Sequence, residues 1–101
     1  MGLEEEFTSE YKNNRRQLEE EEEFIKTFKQ KGDQALEQAY HELSIQARNN
    51  DLDAQTIAFI RQEIFKAQED YEEIIGQERK NVIQRLDNNE LEYRQKLRQN
   101  N

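Results

Sequence analysis

The sequence contains no proline, no cysteine and no tryptophan, and it has only three glycines and one histidine. Without proline, nothing in the chain forces a helix to stop, so long uninterrupted helices are permitted. Without cysteine there is no disulfide framework, no thiol nucleophile and no thiolate metal site. His41 lacks the second histidine that a helical zinc motif needs four residues later. We therefore expect no catalytic residues, no metal site, no cofactor and no enzyme.

What the sequence has in excess is charge, since 38% of its residues are charged, 33% are hydrophobic and the net charge is -8. This composition is too polar for a large compact core. The negative charge would repel phosphate backbones and anionic lipids, so we expect no nucleic acid and no membrane among the partners. The acidic start, Glu4 to Glu6, differs from a cationic signal peptide. We expect a cytoplasmic protein without a Sec signal peptide.

Two stretches carry apolar residues at helical spacing, one over about residues 3–48 and the other over about 54–98. The first stripe contains Phe7, Tyr11, Leu18, Ile25, Phe28, Gly32, Ala35, Leu36, Ala39 and Leu43. The second contains Ile57, Ile60, Ile64, Ala67, Tyr71 and Ile74, and continues through Ile75, Val82, Leu86, Tyr93 and Leu97. The change of phase after Ile74 resembles a stutter, which locally relaxes supercoiling. The pattern predicts two long helices.

A single turn is predicted between the helices, at about residues 49–53. Asn49 or Asn50 can adopt the left-handed conformation that ends a helix, because a short polar side chain tolerates positive φ. Asp53 can then cap the second helix, with Leu52 and Ile57 in the positions of a hydrophobic staple. The sequence thus predicts one all-α domain over residues 1–101, an antiparallel two-helix hairpin with coiled-coil packing.

The distribution of charge favours the antiparallel hairpin over one continuous rod. With the turn near residue 51, the acidic run Glu19 to Glu23 faces the basic residues Arg79, Lys80 and Arg85. The same register places Arg15 and Arg16 near Asp87 and Glu90, Lys29 near Glu73, and Gly32 and Ala35 beside Tyr71 and Ala67. Exposed ion pairs contribute only about 0 to 1 kcal/mol each, so they indicate register more than stability.

Several large apolar residues fall outside the stripe on which the two helices meet. Phe24, Phe59, Phe65 and Ile83 are our candidate partner-binding residues, and Leu91 also lies off the stripe. Each could contribute about 1.5 to 3 kcal/mol of transfer free energy if a partner buried it. Scattered exposed apolar residues are also common on protein surfaces, and this interpretation stays open beside the first.

A proline-free acidic chain of this length, with a Glu-rich first helix, a polar turn at Arg48 to Asp53 and a Gln/Arg/Glu-rich second helix, resembles the WXG100-like proteins of Gram-positive type VII secretion. It looks most like the small helical accessory proteins encoded beside LXG-domain toxins. The resemblance implies an adaptor that binds the helical N-terminal LXG domain of a toxin and helps target it for export. Tyr93 is followed by Leu97 rather than the acidic residue of an export signal, and a second small helical accessory protein can supply one.

Two functions from different classes therefore remain open. The first is the export adaptor, either staying in the cytoplasm or leaving the cell with its toxin. The alternative is a structural protein that self-associates, as a homodimer forming a four-helix bundle. The oligomeric state of the isolated chain would separate the two.

Overall fold

A computed structural model describes residues 2–100 of the chain. It consists of two helices, α1 over Leu3–Arg48 and α2 over Ala54–Asn100. The helices pack against each other as an antiparallel hairpin, as the sequence predicts. Contacts divide the chain into two compact units. The terminal unit contains residues up to Lys26 and from Gln77 onward, and the turn unit contains Thr27–Gly76.

The turn forms because a residue in the left-handed conformation follows the end of α1. Asn50 has φ of 59°. The Asp51 amide donates to the Gln46 carbonyl at 3.1 Å and the Asn50 amide donates to the Ala47 carbonyl at 3.3 Å. These two bonds make a Schellman motif, which satisfies carbonyl groups that the end of a helix leaves without partners. Of the two asparagines considered from sequence, Asn50 takes the left-handed conformation.

The start of α2 is capped as predicted. The Thr56 amide donates to Oδ1 of Asp53 at 2.7 Å, and the Ile57 amide donates to the Asp53 carbonyl at 3.0 Å. Hydrogen bonds from the side chain and backbone of Thr56 to the carboxylate lower the pKa of Asp53. Leu52 and Ile57, at the two positions of the predicted staple, are both half-buried.

In the turn unit, the inward-facing residues include a glycine on α1 and a tyrosine on α2. Leu43 on α1 and Ile75 on α2 are the buried apolar residues of this unit. Gly32 faces the ring of Tyr71, and a Cβ atom added to Gly32 would collide with that ring. The Tyr71 hydroxyl lies 2.6 Å from the Lys29 carbonyl and 3.0 Å from that of Phe28.

Beyond this contact, the inward residues advance by a step of four residues on each helix. On α1 the half-buried Gly32 is followed by Leu36 and then by Leu43, and on α2 Tyr71 is followed by Ile75. A step of four residues is also one of the two ordinary steps of a seven-residue repeat, so it marks a change of phase only where the repeat calls for a step of three. On both helices the inward residue after the contact between Gly32 and Tyr71 lies four residues on, at Leu36 and Ile75, and not three residues on, at Ala35 and Ile74. The stutter itself stays a prediction.

Four assignments to the mutual stripe are wrong. Phe28 is 54% exposed and Ile74 is 60% exposed. Ala35 and Ala67 are also exposed. After the step of four residues, Leu36 and Ile75 occupy the inward positions, so the residues just before them in sequence turn toward one side of the unit.

The terminal unit has a more polar interior. Leu18 and Val82 are its buried apolar residues, and Asn89 is buried with them. Asn89 donates to the Tyr11 carbonyl at 3.1 Å and accepts from the Asn14 side-chain amide at 3.3 Å. Because both the nitrogen and the oxygen of its side-chain amide are hydrogen-bonded, Asn89 avoids the cost of an unpaired buried polar group.

Aromatic and polar contacts extend this interior along the terminal unit. The rings of Tyr11 and Tyr93 stack with centroids 4.5 Å apart, and the Tyr93 hydroxyl lies 2.8 Å from the Thr8 hydroxyl. The Lys96 ammonium lies 5.6 Å from the centroid of the Phe7 ring, a cation–π contact.

The charge register is confirmed at one predicted pair, and the other predicted pairs form no ion pair within residues 2–100. Arg85 contacts Glu21 at 2.7 Å, which joins the acidic run to α2. Arg15 instead pairs with Glu19 of its own helix at 2.8 Å, because that residue lies one turn away on the same face. Within residues 2–100, no ion pair joins Lys29 to Glu73.

The two helical glycines, Gly32 and Gly76, should respond oppositely to alanine. No atom lies within 4 Å of a Cβ added to Gly76, whereas the Tyr71 ring occupies that space at Gly32. Gly76→Ala should raise stability by about 0.5 to 1 kcal/mol through helix propensity alone. Gly32→Ala should lower the Tm, because the Tyr71 ring must move and leave its carbonyl partners. Thermal melts of the two variants make the comparison, and equal gains in Tm would contradict the close packing.

The cap at Asp53 predicts a contribution to stability that depends on pH. Because folding lowers the pKa of Asp53, its contribution is present above the ordinary carboxyl pKa and is lost as the pH falls through the folded value. Asp53→Asn is the control, since asparagine also caps helices but does not titrate. The Tm of the unmodified chain should fall more steeply between neutral and acidic pH than that of the variant. Parallel curves would show that the carboxylate contributes nothing.

Candidate partner-binding surface

Large apolar side chains are exposed in both units. In the terminal unit they are Leu3, Phe24, Ile83 and Leu91. In the turn unit they are Phe28, Ile45, Phe59, Phe65 and Ile74. All four candidates from sequence are therefore exposed, Phe24 and Ile83 in one unit and Phe59 and Phe65 in the other. Whether any of them binds a partner stays a prediction.

The turn unit can be divided into two flanks by the direction of its inward residues. A helix turns by about 100° per residue, so the positions four before and three after an inward residue lie on the same side of it. When two antiparallel helices face each other, these positions meet along one flank of the pair. Glu21 and Arg85, each three residues after a buried residue of the terminal unit, are joined by an ion pair and illustrate this geometry.

Applied to Gly32 and Tyr71, this geometry defines a flank with four apolar members. We call it the Phe28 flank, and its members are Phe28, Ala35, Ala67 and Ile74. On each helix the two members are seven residues apart. Phe65 follows the inward Ile64 by one residue and lies on the opposite flank. The Phe28 flank is thus the more apolar side of the turn unit.

Sequence reasoning missed Phe28 and Ile74 as candidates because it assigned both to the stripe between the helices. The available signal was the phase of the repeat. Ile74 and Ile75 compete for one inward position, and continuing the repeat backward from Val82 by seven residues selects Ile75. The same signal is weaker on α1, where Ala35 and Leu36 are adjacent and both apolar.

Shallow depressions are present among the described residues. One depression of the turn unit is lined by residues that include Glu37, His41 and Ser44. One in the terminal unit is lined by residues that include Asn14, Arg85 and Glu92. Within residues 2–100, no three acidic, histidine or cysteine side chains are grouped so that they could hold a metal ion.

The pKa of Tyr71 is also shifted. Burial of the hydroxyl raises this pKa, and the nearby Asp33 carboxylate adds to the effect. Both causes favour the neutral phenol, which can donate a hydrogen bond to the α1 backbone. The shift therefore fits a structural role for Tyr71 in joining the helices.

No protein family matches the chain, and no curated protein or solved structure matches it either. Over residues 2–100, neither helix contains a stretch that is both long and apolar enough to span a membrane.

The exposed candidates predict how substitutions affect binding. If a partner covers Phe59, Phe65 or Ile83, replacing that residue with alanine should cost about 2 kcal/mol or more of binding free energy, since buried anchors dominate interfaces. Phe24→Ala should have a smaller effect. Calorimetry with correctly folded variants provides the measurement. Unchanged affinity in both Phe65→Ala and Ile83→Ala would show that neither side chain is an anchor.

Charge reversal on the acidic run of α1 provides a comparison for the alanine substitutions of the exposed apolar residues. Glu20 and Glu22 are exposed and form no ion pair within residues 2–100, so reversing them should leave the hairpin intact. The loss of affinity should be smaller than for an apolar anchor, and it should fade as salt is added.

Proposed function

We propose that this chain is a non-enzymatic helical adaptor that binds the helical N-terminal LXG domain of a type VII secreted toxin. The observation that carries the proposal is the mismatch between what the hairpin buries and what it exposes. Only Leu18, Leu43, Ile75 and Val82 are buried apolar residues among those described, whereas nine large apolar residues are exposed. A partner made of helices could cover such residues at helical spacing.

The shape of the exposed elements also supports a helical partner. Both helices are long and continuous, and in each unit both helices expose large apolar side chains. Helices that expose apolar residues at regular spacing are suited to packing lengthwise on other helices. The resemblance to LXG-associated accessory proteins provides the identity of the proposed partner.

Under this proposal the adaptor meets its toxin in the cytoplasm, where the toxin is made. The adaptor and toxin would be presented together to the secretion machinery, with a second small helical accessory protein as a further component. The interaction would not involve nucleic acid, since a chain with net charge -8 repels it.

The proposal predicts a complex that is more stable than the isolated chain. Because the hairpin buries few apolar residues, the isolated chain should be weakly stable or self-associated. A partner that binds only the folded form must raise the Tm, and the gain is about 2.7 kcal/mol when the free partner is at 100 times Kd. Light scattering coupled to size exclusion would give the stoichiometry, and thermal melts would give the shift.

The matched control is a fragment of the same toxin that lacks the LXG domain. This fragment should neither form a complex with the adaptor nor shift its Tm. The proposal fails if the LXG domain does not bind and the isolated chain is a monomer that melts well above about 70 °C, beyond the range of ordinary domains. A stable homodimer that ignores the LXG domain would instead favour the structural, self-associating function.

A further inference from the structure

The Phe28 flank of the turn unit, defined above, has the spacing of a helix-binding seam. Its members, Phe28 and Ala35 on α1 and Ala67 and Ile74 on α2, are all exposed. Seven residues separate the two members on each helix, which is the repeat at which side chains of a third helix meet successive turns. The large side chains of Phe28 and Ile74 provide apolar area to bury, and the alanines allow close approach.

Charged residues beside this seam have mostly one sign. Glu42, Glu63 and Asp70 lie three, four or seven residues from members of the seam, and Lys31 lies three residues from Phe28. All four are exposed, and none forms an ion pair within residues 2–100. The border of the seam is therefore mainly acidic, and its carboxylates form no ion pair within residues 2–100.

We propose that the Phe28 flank binds a single amphipathic helix of another protein, whose apolar stripe is bordered by lysine and arginine. The proposal rests on the helix-binding function proposed above and adds the side of the hairpin and the chemistry of the helix. Basic residues beside the stripe would meet Glu42, Glu63 and Asp70, and complementary charge both accelerates encounter and selects the partner.

The same charges argue against a second copy of this chain in that position. A copy docking through its own Phe28 flank would bring Glu42, Glu63 and Asp70 close to another set of carboxylates. Like charges placed together across an interface disfavour binding and reject such partners. The occupant of the flank is therefore a different chain.

The direct test uses a synthetic amphipathic peptide as the probe. The peptide spans about four heptads, with leucine along its apolar stripe and lysine on both borders. A control peptide carries glutamate in place of each lysine. Calorimetry at low and moderate salt should show binding of the lysine peptide that weakens with salt, and at least about tenfold weaker binding of the glutamate peptide.

Substitutions within the hairpin locate the site. Ala35→Lys and Ala67→Lys place a long cation in the centre of the seam at exposed positions, where the fold should tolerate it. Ala58→Lys is the matched control, since Ala58 is exposed on α2 of the same unit, seven residues before Phe65 on the opposite flank. Either seam variant should weaken binding about tenfold or more. The control should change it by less than about threefold, since a single surface charge has a small effect.

Several results would overturn the proposal. The lysine and glutamate peptides could bind equally well, the lysine peptide could fail to bind, or the seam variants and Ala58→Lys could bind it alike. A homodimer that Ala67→Lys dissociates would show that a second copy occupies the flank. Circular dichroism of each variant confirms that the helices are intact, so a loss of binding is not a loss of folding.

The same variants separate this inference from the proposed toxin partner. If an LXG domain binds all three variants equally, the adaptor function stands and the assigned flank is wrong. If the lysine peptide binds at the seam and no LXG domain binds, the flank is right and the proposed partner is wrong.

Discussion

The packing of the turn unit depends on one close contact, in which the ring of Tyr71 occupies the space that a side chain at Gly32 would need. The contact brings the Tyr71 hydroxyl within hydrogen-bonding distance of the α1 backbone at Phe28 and Lys29. The inward residues that follow it are Leu36 and Ile75, so the exposed seam of the Phe28 flank is a consequence of how the two helices meet at this point.

The two units fill their interiors with different side chains and form different hydrogen bonds between the helices. The turn unit combines buried Leu43 and Ile75 with a tyrosine bonded to backbone carbonyls. The terminal unit buries Asn89 beside Leu18 and Val82 and bonds its amide to α1. A buried asparagine generally lowers stability but favours one pairing of helices over others. Such an interior suits a hairpin that must keep its register although it buries little apolar area.

The sequence predicts the fold well because its signals are local. The absence of proline, the left-handed tendency of Asn49 and Asn50 and the cap at Asp53 each act within a few residues, and all agree on one turn. The candidate surface was harder to predict. Phe59, Phe65 and Ile83 do not occupy an inward position in either phase of the repeat, and they are exposed as expected. Phe28 and Ile74 were assigned to the inward stripe because the phase of the repeat is ambiguous where two apolar residues are adjacent, as at Ile74 and Ile75 or at Ala35 and Leu36.

The positions of the tyrosines make each unit separately visible to spectroscopy. The chain has no tryptophan and four tyrosines, so tyrosine dominates its near-ultraviolet signal. Tyr11 and Tyr93 form a stack between α1 and α2 in the terminal unit, and Tyr71 contacts the α1 backbone in the turn unit. Replacing Tyr71 alone, or the stacked pair alone, with phenylalanine would leave an optical signal that reports mainly on one unit. Separation of the helices could then be timed independently in each unit, without an added label.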